Sequence, residues 1–325
     1  MELGALVVTQ EGSLQQSMVT GVNPWSSTWP VVGKTVLERW IERVRDLGVG
    51  LVSVVDRDVR MPNRLNTMVD WAKQGVDQIL LILLGSYAEV ELNDLIQFHH
   101  EGRNRITRVF DLHGPLGINL LDRTAVLKNG GACPDDNRSH SSRYEFGGYV
   151  SRLSSTVAYR KLVQDALEGK CAIQPAGIQA QEKVWIDPTA RIDPSVQIKG
   201  PCYIGARSRL NAGVVVTGYS SVERDCEIDI GTTLEGASVL PNTYLAPGLH
   251  VKNSVVDGTR LEHFDHGVTV DLQAMSLSAR RRVPPSPIFT LTGKGADALA
   301  RSRRADNSQG GAESSTTTER SSHEV

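Results

Sequence analysis

Apolar residues recur in two rhythms along this chain. Between residues 4 and 170 they form short unbroken runs separated by amphipathic stretches. Gly4–Val8, Leu51–Val55, Gln78–Leu84 and Ile106–Phe110 read as buried strands. The stretch TVLERWIERVRDLG from Thr35 sets Val36, Leu37, Trp40, Ile41, Val44 and Leu47 on one helical face. Glu38, Arg39, Glu42, Arg43 and Arg45 fall on the other, and Gly48 stands where a C-cap belongs. Helices are also expected over 63–74, 92–100 and 154–169, the last burying Val157, Leu162, Val163 and Leu167, with His99 and His100 capping carbonyls at the end of theirs. Strands that are apolar throughout and alternate with helices predict a parallel sheet covered on both faces. The DLHGP stretch, with Asp111 and His113, and the polar run Cys133–Arg143 read as loops, the former with a substrate loop as its alternative.

From Ile186 the rhythm becomes six. Ile186, Ile192, Ile198, Ile204, Leu210, Val216, Val222, Ile228, Leu234 and Leu240 open ten successive hexads. The fifth places hold Ala190, Val196, Cys202, Ser208, Val214, Ser220, Cys226, Thr232 and Ser238, with Tyr244 closing the run. A period of six fits neither a helix nor a strand alternation. It fits a parallel β-helix, in which each hexad is a short strand plus a turn and three hexads make a coil, giving about three and a half coils. The pattern resembles the left-handed hexapeptide-repeat β-helix. That scaffold occurs in acyltransferases and as the tail of sugar-nucleotide pyrophosphorylases, so the residues ahead of it must decide the function.

Composition narrows the classes. The chain has 325 residues, 40% hydrophobic and 22% charged, and a net charge of −2, which gives no reason to expect nucleic acid or an acidic membrane as partner. Its four cysteines lack metal-ligand spacing, and Cys202 and Cys226 sit on small inward places. The opening MELGALVVTQEG lacks the basic and long apolar regions of a signal peptide, and the longest apolar run is far too short to span a bilayer, so a cytoplasmic protein is expected. Beyond Val270 the repeat is lost, and 300–325 is too poor in apolar residues to offset ordering entropy. Its arginines, with Arg280–Arg282, read as solvated charge, an anionic partner being the alternative.

Several stretches resemble the sugar-nucleotide pyrophosphorylases, also called NDP-sugar nucleotidyltransferases. Pro30–Glu38 (PVVGKTVLE) is similar to that family's P-x-x-G-K-P-x-L-E entry into its first long helix. The strand ending at Gly85 and the helix from Leu92 resemble the surroundings of its Gly-Asp, Tyr144–Tyr149 resembles its D-x-G-T segment, and Ile198–Gly205 resembles an opening of its β-helix. The resemblance, which covers residues 1 to about 265, implies a Rossmann-like α/β nucleotidyltransferase domain over 1–175 and a left-handed parallel β-helix over 184–265; composition adds a C-terminal extension over 266–299 and a disordered tail over 300–325. The resemblance also implies a nucleoside triphosphate cradled by a Gly-rich loop, a sugar 1-phosphate, and Mg²⁺ held by two carboxylates.

The positions matching those groups are changed. The loop after the first strand reads Thr9-Gln-Glu-Gly-Ser-Leu14, with no nearby cation; Leu14 replaces the loop Arg, and Ser26 replaces the Lys ahead of Pro30. Ser86 follows Gly85 where the metal-binding Asp belongs, and Phe146 precedes Gly147 where the second carboxylate belongs, with Glu145 one residue out of register. Gly12, Ser13, Gly85, Ser86 and Gly147 are therefore the degenerate nucleotide or sugar-phosphate positions, with a plain strand–helix turn as the alternative for the first two. No catalytic residue, no metal ligand and no cofactor is assigned, Mg²⁺ being implied only for an active enzyme. The leading expectation is a pyrophosphorylase-like protein without turnover, with a binding, regulatory or assembly role in nucleotide-sugar and polysaccharide metabolism. An active divergent nucleotidyltransferase is one alternative. A hexapeptide acyltransferase is the other, although its usual His base in a loop between coils is missing from the ten hexads. Expected partners are a nucleotide or sugar phosphate and a second copy or a related pyrophosphorylase subunit, because an open β-helix end needs covering.

Overall fold

The structure, a computed structural model, describes residues 2–9, 27–56, 61–130 and 141–271. The positions Gly12, Ser13, Leu14 and Ser26, the loop over 133–140 and the chain beyond 271 lie outside them.

The first domain contains β1 (Leu3–Thr9), a hairpin of β2 (Pro30–Val31) and β3 (Lys34–Thr35), β4 (Leu51–Asp56), β5 (Gln78–Leu83) and β6 (Ser86–Ala88). It continues with β7 (Ile106–Asp111), β8 (Gly114–Asp122), β9 (Ser141–Glu145) and β10 (Val150–Arg152). Among the described residues five helices accompany them: α1 (Val36–Asp46), α2 (Met61–Gln74), α3 (Leu92–Glu101), α4 (Arg123–Asn129) and α5 (Thr156–Glu168). The main sheet has the order β4-β1-β5-β8-β7-β9. Helix α1 starts where the sequence places it, because Thr35 and Glu38 form a reciprocal capping box. Its apolar stripe of Val36, Trp40 and Val44 is buried.

The sheet is mixed rather than all parallel. β1 pairs in parallel with β4 and β5, but β8 runs antiparallel to both β5 and β7. The DLHGP stretch is the reason. Asp111 pairs with Gly114 across a two-residue turn, and a parallel neighbour needs a crossover of a dozen residues or more. Gly117 then lets β8 pass close to β5: a Cβ there would lie 2.7 Å from the Leu83 carbonyl oxygen. Val157 also departs from expectation. It is 56% exposed, because it shares the outer face of α5 with Lys161 and Gln164.

The second domain is a parallel β-helix. Its short strands stack into three faces at a spacing of eighteen residues, as in Ile186 on Ile204 and Ile204 on Val222. Strands from Val184 to Lys252 complete four coils, and Ser254–Asp257 begins a fifth. Ile198, Ile204, Leu210, Val216, Val222 and Ile228 lie in one solenoid core. Buried hydroxyls at the fifth places satisfy coil carbonyls, Ser208 Oγ donating to Glu223 O and Thr232 Oγ1 to Ala246 O.

The repeat slips by one after Leu234. Val222 stacks on Val239, Ile228 on Leu245 and Leu234 on Val251, each seventeen residues on. The inward residues are thus Val239 and Leu245, not Leu240, and the fifth places are Ala237 and Thr243, not Ser238 and Tyr244. Tyr244 is 54% exposed. The cause is a shortened corner. Gly218 and Tyr219 are both left-handed in the longer turn, whereas Gly236 alone is in the next. At the far end the face is closed by an antiparallel meander of Ser254–Asp257, Arg260–His263 and Val268–Asp271.

The two domains share one core. Tyr203, Leu240 and Val255 of the solenoid pack with Trp29, Val31, Tyr159 and Leu162. Buried polar contacts fasten the same seam. Val32 and Gly33, both left-handed at the β2–β3 turn, donate their N–H groups to the two carboxylate oxygens of Glu223 at 3.0 and 3.1 Å. Only glycine fits at position 33, where a Cβ would meet Ala176 and the Tyr203 hydroxyl at 2.6 Å. Tyr159 Oη donates to Pro30 O at 2.6 Å, while Arg160 donates to the carbonyls of Gly236 and Tyr219 at 3.0 and 2.7 Å. Burial lowers the Arg160 guanidinium to about 10 and raises the Glu223 carboxyl to about 8 despite its two N–H donors.

Candidate functional site

Open α/β sheets bind ligands beyond the carboxyl ends of their parallel strands. Here those ends are Thr9, Asp56 and Leu83, and Gly85-Ser86 follows directly. Gly85 is exposed; its N–H donates to Leu83 O at 2.9 Å and its carbonyl accepts from Leu153 at 3.1 Å. Ser86 turns away from solvent. It is 7% exposed, and its Oγ donates to Leu116 O at 3.1 Å. Strand β6 pairs with β10, which sets Ser86 opposite Arg152.

Arg152 holds this edge together. Its guanidinium pairs with Asp111 and donates to the carbonyls of Gly114 at 3.0 Å and Pro115 at 3.3 Å. Asp111 also accepts the His113 N–H at 2.8 Å. Burial pushes the Asp111 carboxyl up, but Arg152 and that N–H outweigh it and hold the group below its usual value. The DLHGP stretch is therefore a pinned hairpin turn with Leu112 at its tip, 98% exposed. Nothing in the sequence around Arg152, a three-residue strand, signals this role.

Gly147 is exposed in the connection from β9 to β10, and a Cβ there would meet nothing within 4 Å. Its neighbour Phe146 packs on the core and donates its N–H to Phe110 O at 2.8 Å. Glu145 is exposed and pairs with Arg143 at 2.9 Å. Gly85 and Ser86 lie at one end of the β6–β10 ladder, opposite Leu153 and Arg152, whereas Gly147 precedes Val150 at the other end, so the ladder does not bring the three together. His99 and His100 do not cap their helix. His99 is buried between Thr107 Oγ1 at 2.8 Å and Asp122 Oδ1 at 3.0 Å, and His100 reaches Gln78 Oε1 at 3.2 Å. Thr107 is fully buried, so this chain of groups ties α3 to the sheet and offers no exposed nucleophile.

No family model matches the chain. A UTP–glucose-1-phosphate uridylyltransferase from Synechocystis sp. is 30% identical over 107 residues, 32% of this chain and 27% of that protein. The bifunctional protein GlmU of Lawsonia intracellularis is 26% identical over 125 residues, 35% of this chain and 25% of that protein. Over about a third of its length, 32% and 35%, the chain is similar to sugar-nucleotide pyrophosphorylases. It spans about a quarter of the length of these curated relatives, 27% and 25%. A solved structure described as a glucose-1-phosphate thymidylyltransferase from Bacillus anthracis, in complex with a sucrose, covers 50% of this chain and 94% of its own at 8% identity and a TM-score of 0.37, a likeness too slight to build on.

The Mg²⁺ implied by the resemblance does not fit the residues present. Ser86 brings no charge, and its hydroxyl is spent on a backbone carbonyl. Phe146 faces the core, and the Glu145 carboxylate is paired with Arg143 in solvent. Among the described residues no group of three or more His, Cys, Asp or Glu gathers to hold a metal ion. Among the same residues no helix is long and apolar enough to cross a membrane.

Proposed function

We propose that this chain is a pyrophosphorylase-like protein that keeps the nucleotidyltransferase fold for binding a nucleotide or sugar phosphate and for assembly, without useful turnover. Its place would be regulatory or architectural in nucleotide-sugar and polysaccharide metabolism, in the cytoplasm, as a homo-oligomer or beside a related active subunit. One observation carries the reading: the Ser86 hydroxyl, where the resemblance puts a metal-binding carboxylate, is buried and donates to Leu116 O. A triphosphate and a sugar phosphate bring about five to six negative charges together, and losing even one preorganised charge contact costs about 10²–10³ in rate. The relatives' names suggest the ligands to try, UTP and glucose 1-phosphate first. Pyrophosphate release should stay at background over a panel of nucleoside triphosphates and sugar 1-phosphates with Mg²⁺. Calorimetry should show at most weak nucleotide binding, indifferent to Mg²⁺. Robust release that survives Ser86→Ala would overturn this reading in favour of an active, divergent nucleotidyltransferase.

A further inference from the structure

The faces of the solenoid differ in what covers them. One turns Trp185, Tyr203, Ser221, Ser238 and Val255 outward in a single stacked column, and the first domain lies on it. A second face is built by Arg191–Ile192, Arg209–Leu210, Glu227–Ile228 and Tyr244–Leu245. Leu210, Ile228 and Leu245 are buried in the core and Ile192 packs against it, so the outward column reads Arg191, Arg209, Glu227, Tyr244. Arg191, Arg209 and Tyr244 are exposed and Glu227 is half-buried. Among the described residues neither arginine forms an ion pair. Asp229, just beyond the third rung, adds negative charge to the same end and accepts from Tyr244 Oη at 2.9 Å.

The order of these groups is what matters. Two cations occupy the first two rungs, an acid the third and an electron-rich ring the fourth. Turned end for end, the column is complementary to itself. We propose that this face is a two-fold interface with a second copy of the chain, the two solenoids antiparallel and the axis between the second and third rungs. Arg209 then meets the partner's Glu227, and Arg191 lies over the partner's Tyr244, each contact occurring twice by symmetry. The parallel arrangement is disfavoured, since it sets Arg191 and Arg209 against their own copies. Four rungs at about 4.8 Å make a column only about 14 Å tall. That is well short of the roughly 800 Å² per partner of a standard stable complex, so the dimer is weak and salt-sensitive.

The inference rests on the assembly part of the proposed function and names its surface. The test is sedimentation equilibrium of the full chain from about 5 to 300 μM, at 50 mM and 500 mM NaCl. The expected result is a rise toward twice the chain mass at low salt, suppressed at high salt. Arg209→Glu and Glu227→Arg alone should each weaken self-association by more than about tenfold, because each creates two like-charge contacts per dimer. Mixed together, the two variants should associate with each other, since every contact is again between opposite charges. That rescue also shows that both variants fold. A monomer at every concentration overturns the proposal. So does a dimer that neither reversal weakens, although assembly through another surface or through the segment beyond 271 would then stand. Failure of the mixed pair to associate overturns the antiparallel geometry.

Discussion

Glu223 is the sharpest lever on the structure, because a single carboxylate holds the turn of the first domain against the solenoid. Its two oxygens accept from Val32 and Gly33, and burial raises its pKa from the usual 4.5 to about 8. A carboxyl whose folded value lies above its unfolded value favours folding most fully below the unfolded one, and that advantage is lost as pH rises through the folded one. Stability from this group should therefore be greatest below about pH 4.5, fall between about pH 5 and 8, and level off above. At about 1.4 kcal/mol per pH unit, the gap corresponds to a fall of the order of 5 kcal/mol. Glu223→Gln is neutral at every pH and should flatten that fall, although its amide accepts through one oxygen only and sets an NH2 against the second N–H, at a cost of about 1–3 kcal/mol that does not vary with pH. Glu223→Ala instead leaves two buried N–H groups without acceptors, at about 1–3 kcal/mol each, so a loss of about 2–6 kcal/mol is expected at the acid end, shrinking toward pH 8 as the parent gives up its own contribution. Urea midpoints followed by circular dichroism at pH 5.5, 7.0 and 8.5 measure both effects. Parallel pH slopes for the parent and Glu223→Gln, or a Glu223→Ala cost that does not shrink from pH 5.5 to 8.5, would refute the reasoning.

Two further outcomes follow from the solenoid. Val216→Asp places an unpaired charge among Ile198, Leu234 and their neighbours and should cost several kcal/mol, seen as a large drop in melting temperature; an unchanged melting temperature would show that residue 216 does not point inward. Burial pushes the thiols of Cys171, Cys202 and Cys226 up to about 11, 12 and 12. With Cys133 replaced by Ser, an aromatic disulfide reagent at pH 8 should therefore find no reactive thiol until denaturant is added, and prompt labelling of any of the three would contradict their burial.

The hexad rhythm was legible because each coil repeats the same requirement for an inward aliphatic, from Ile186 to Leu234. The slip after Leu234 was not legible. One residue is missing from a corner, and the residues on either side satisfy both registers: Leu240 is aliphatic and Ser238 small, so the old rhythm continues on paper. Both are buried, but against the first domain or another serine. Glu223 was hidden for a similar reason. It follows an inward valine, a place that other coils give to Asp187 and Gly205, and only the approach of the β2–β3 turn makes it a buried acceptor. β8 escaped because Gly114, Pro115 and Gly117 are breaker residues, whereas here they make the tight reversal and the close passage beside Leu83. At the candidate site the sequence named Ser86 and Gly147, which the β6–β10 ladder sets toward its opposite ends. It did not point to Arg152, whose partners Asp111, Gly114 and Pro115 lie about forty residues earlier.

The shared core also sets an order of events during synthesis. Trp29, Val31 and Tyr159 are made well before Tyr203, Leu240 and Val255, which complete their packing. While the ribosome adds the intervening coils, the first domain carries an apolar face with no cover. A chain stopped after α5 would keep that face permanently, a surface for chaperones or aggregation rather than an independent unit. The solenoid is therefore the late half of the first domain's own interior, and release of a native molecule waits on its fourth coil and the strand that follows.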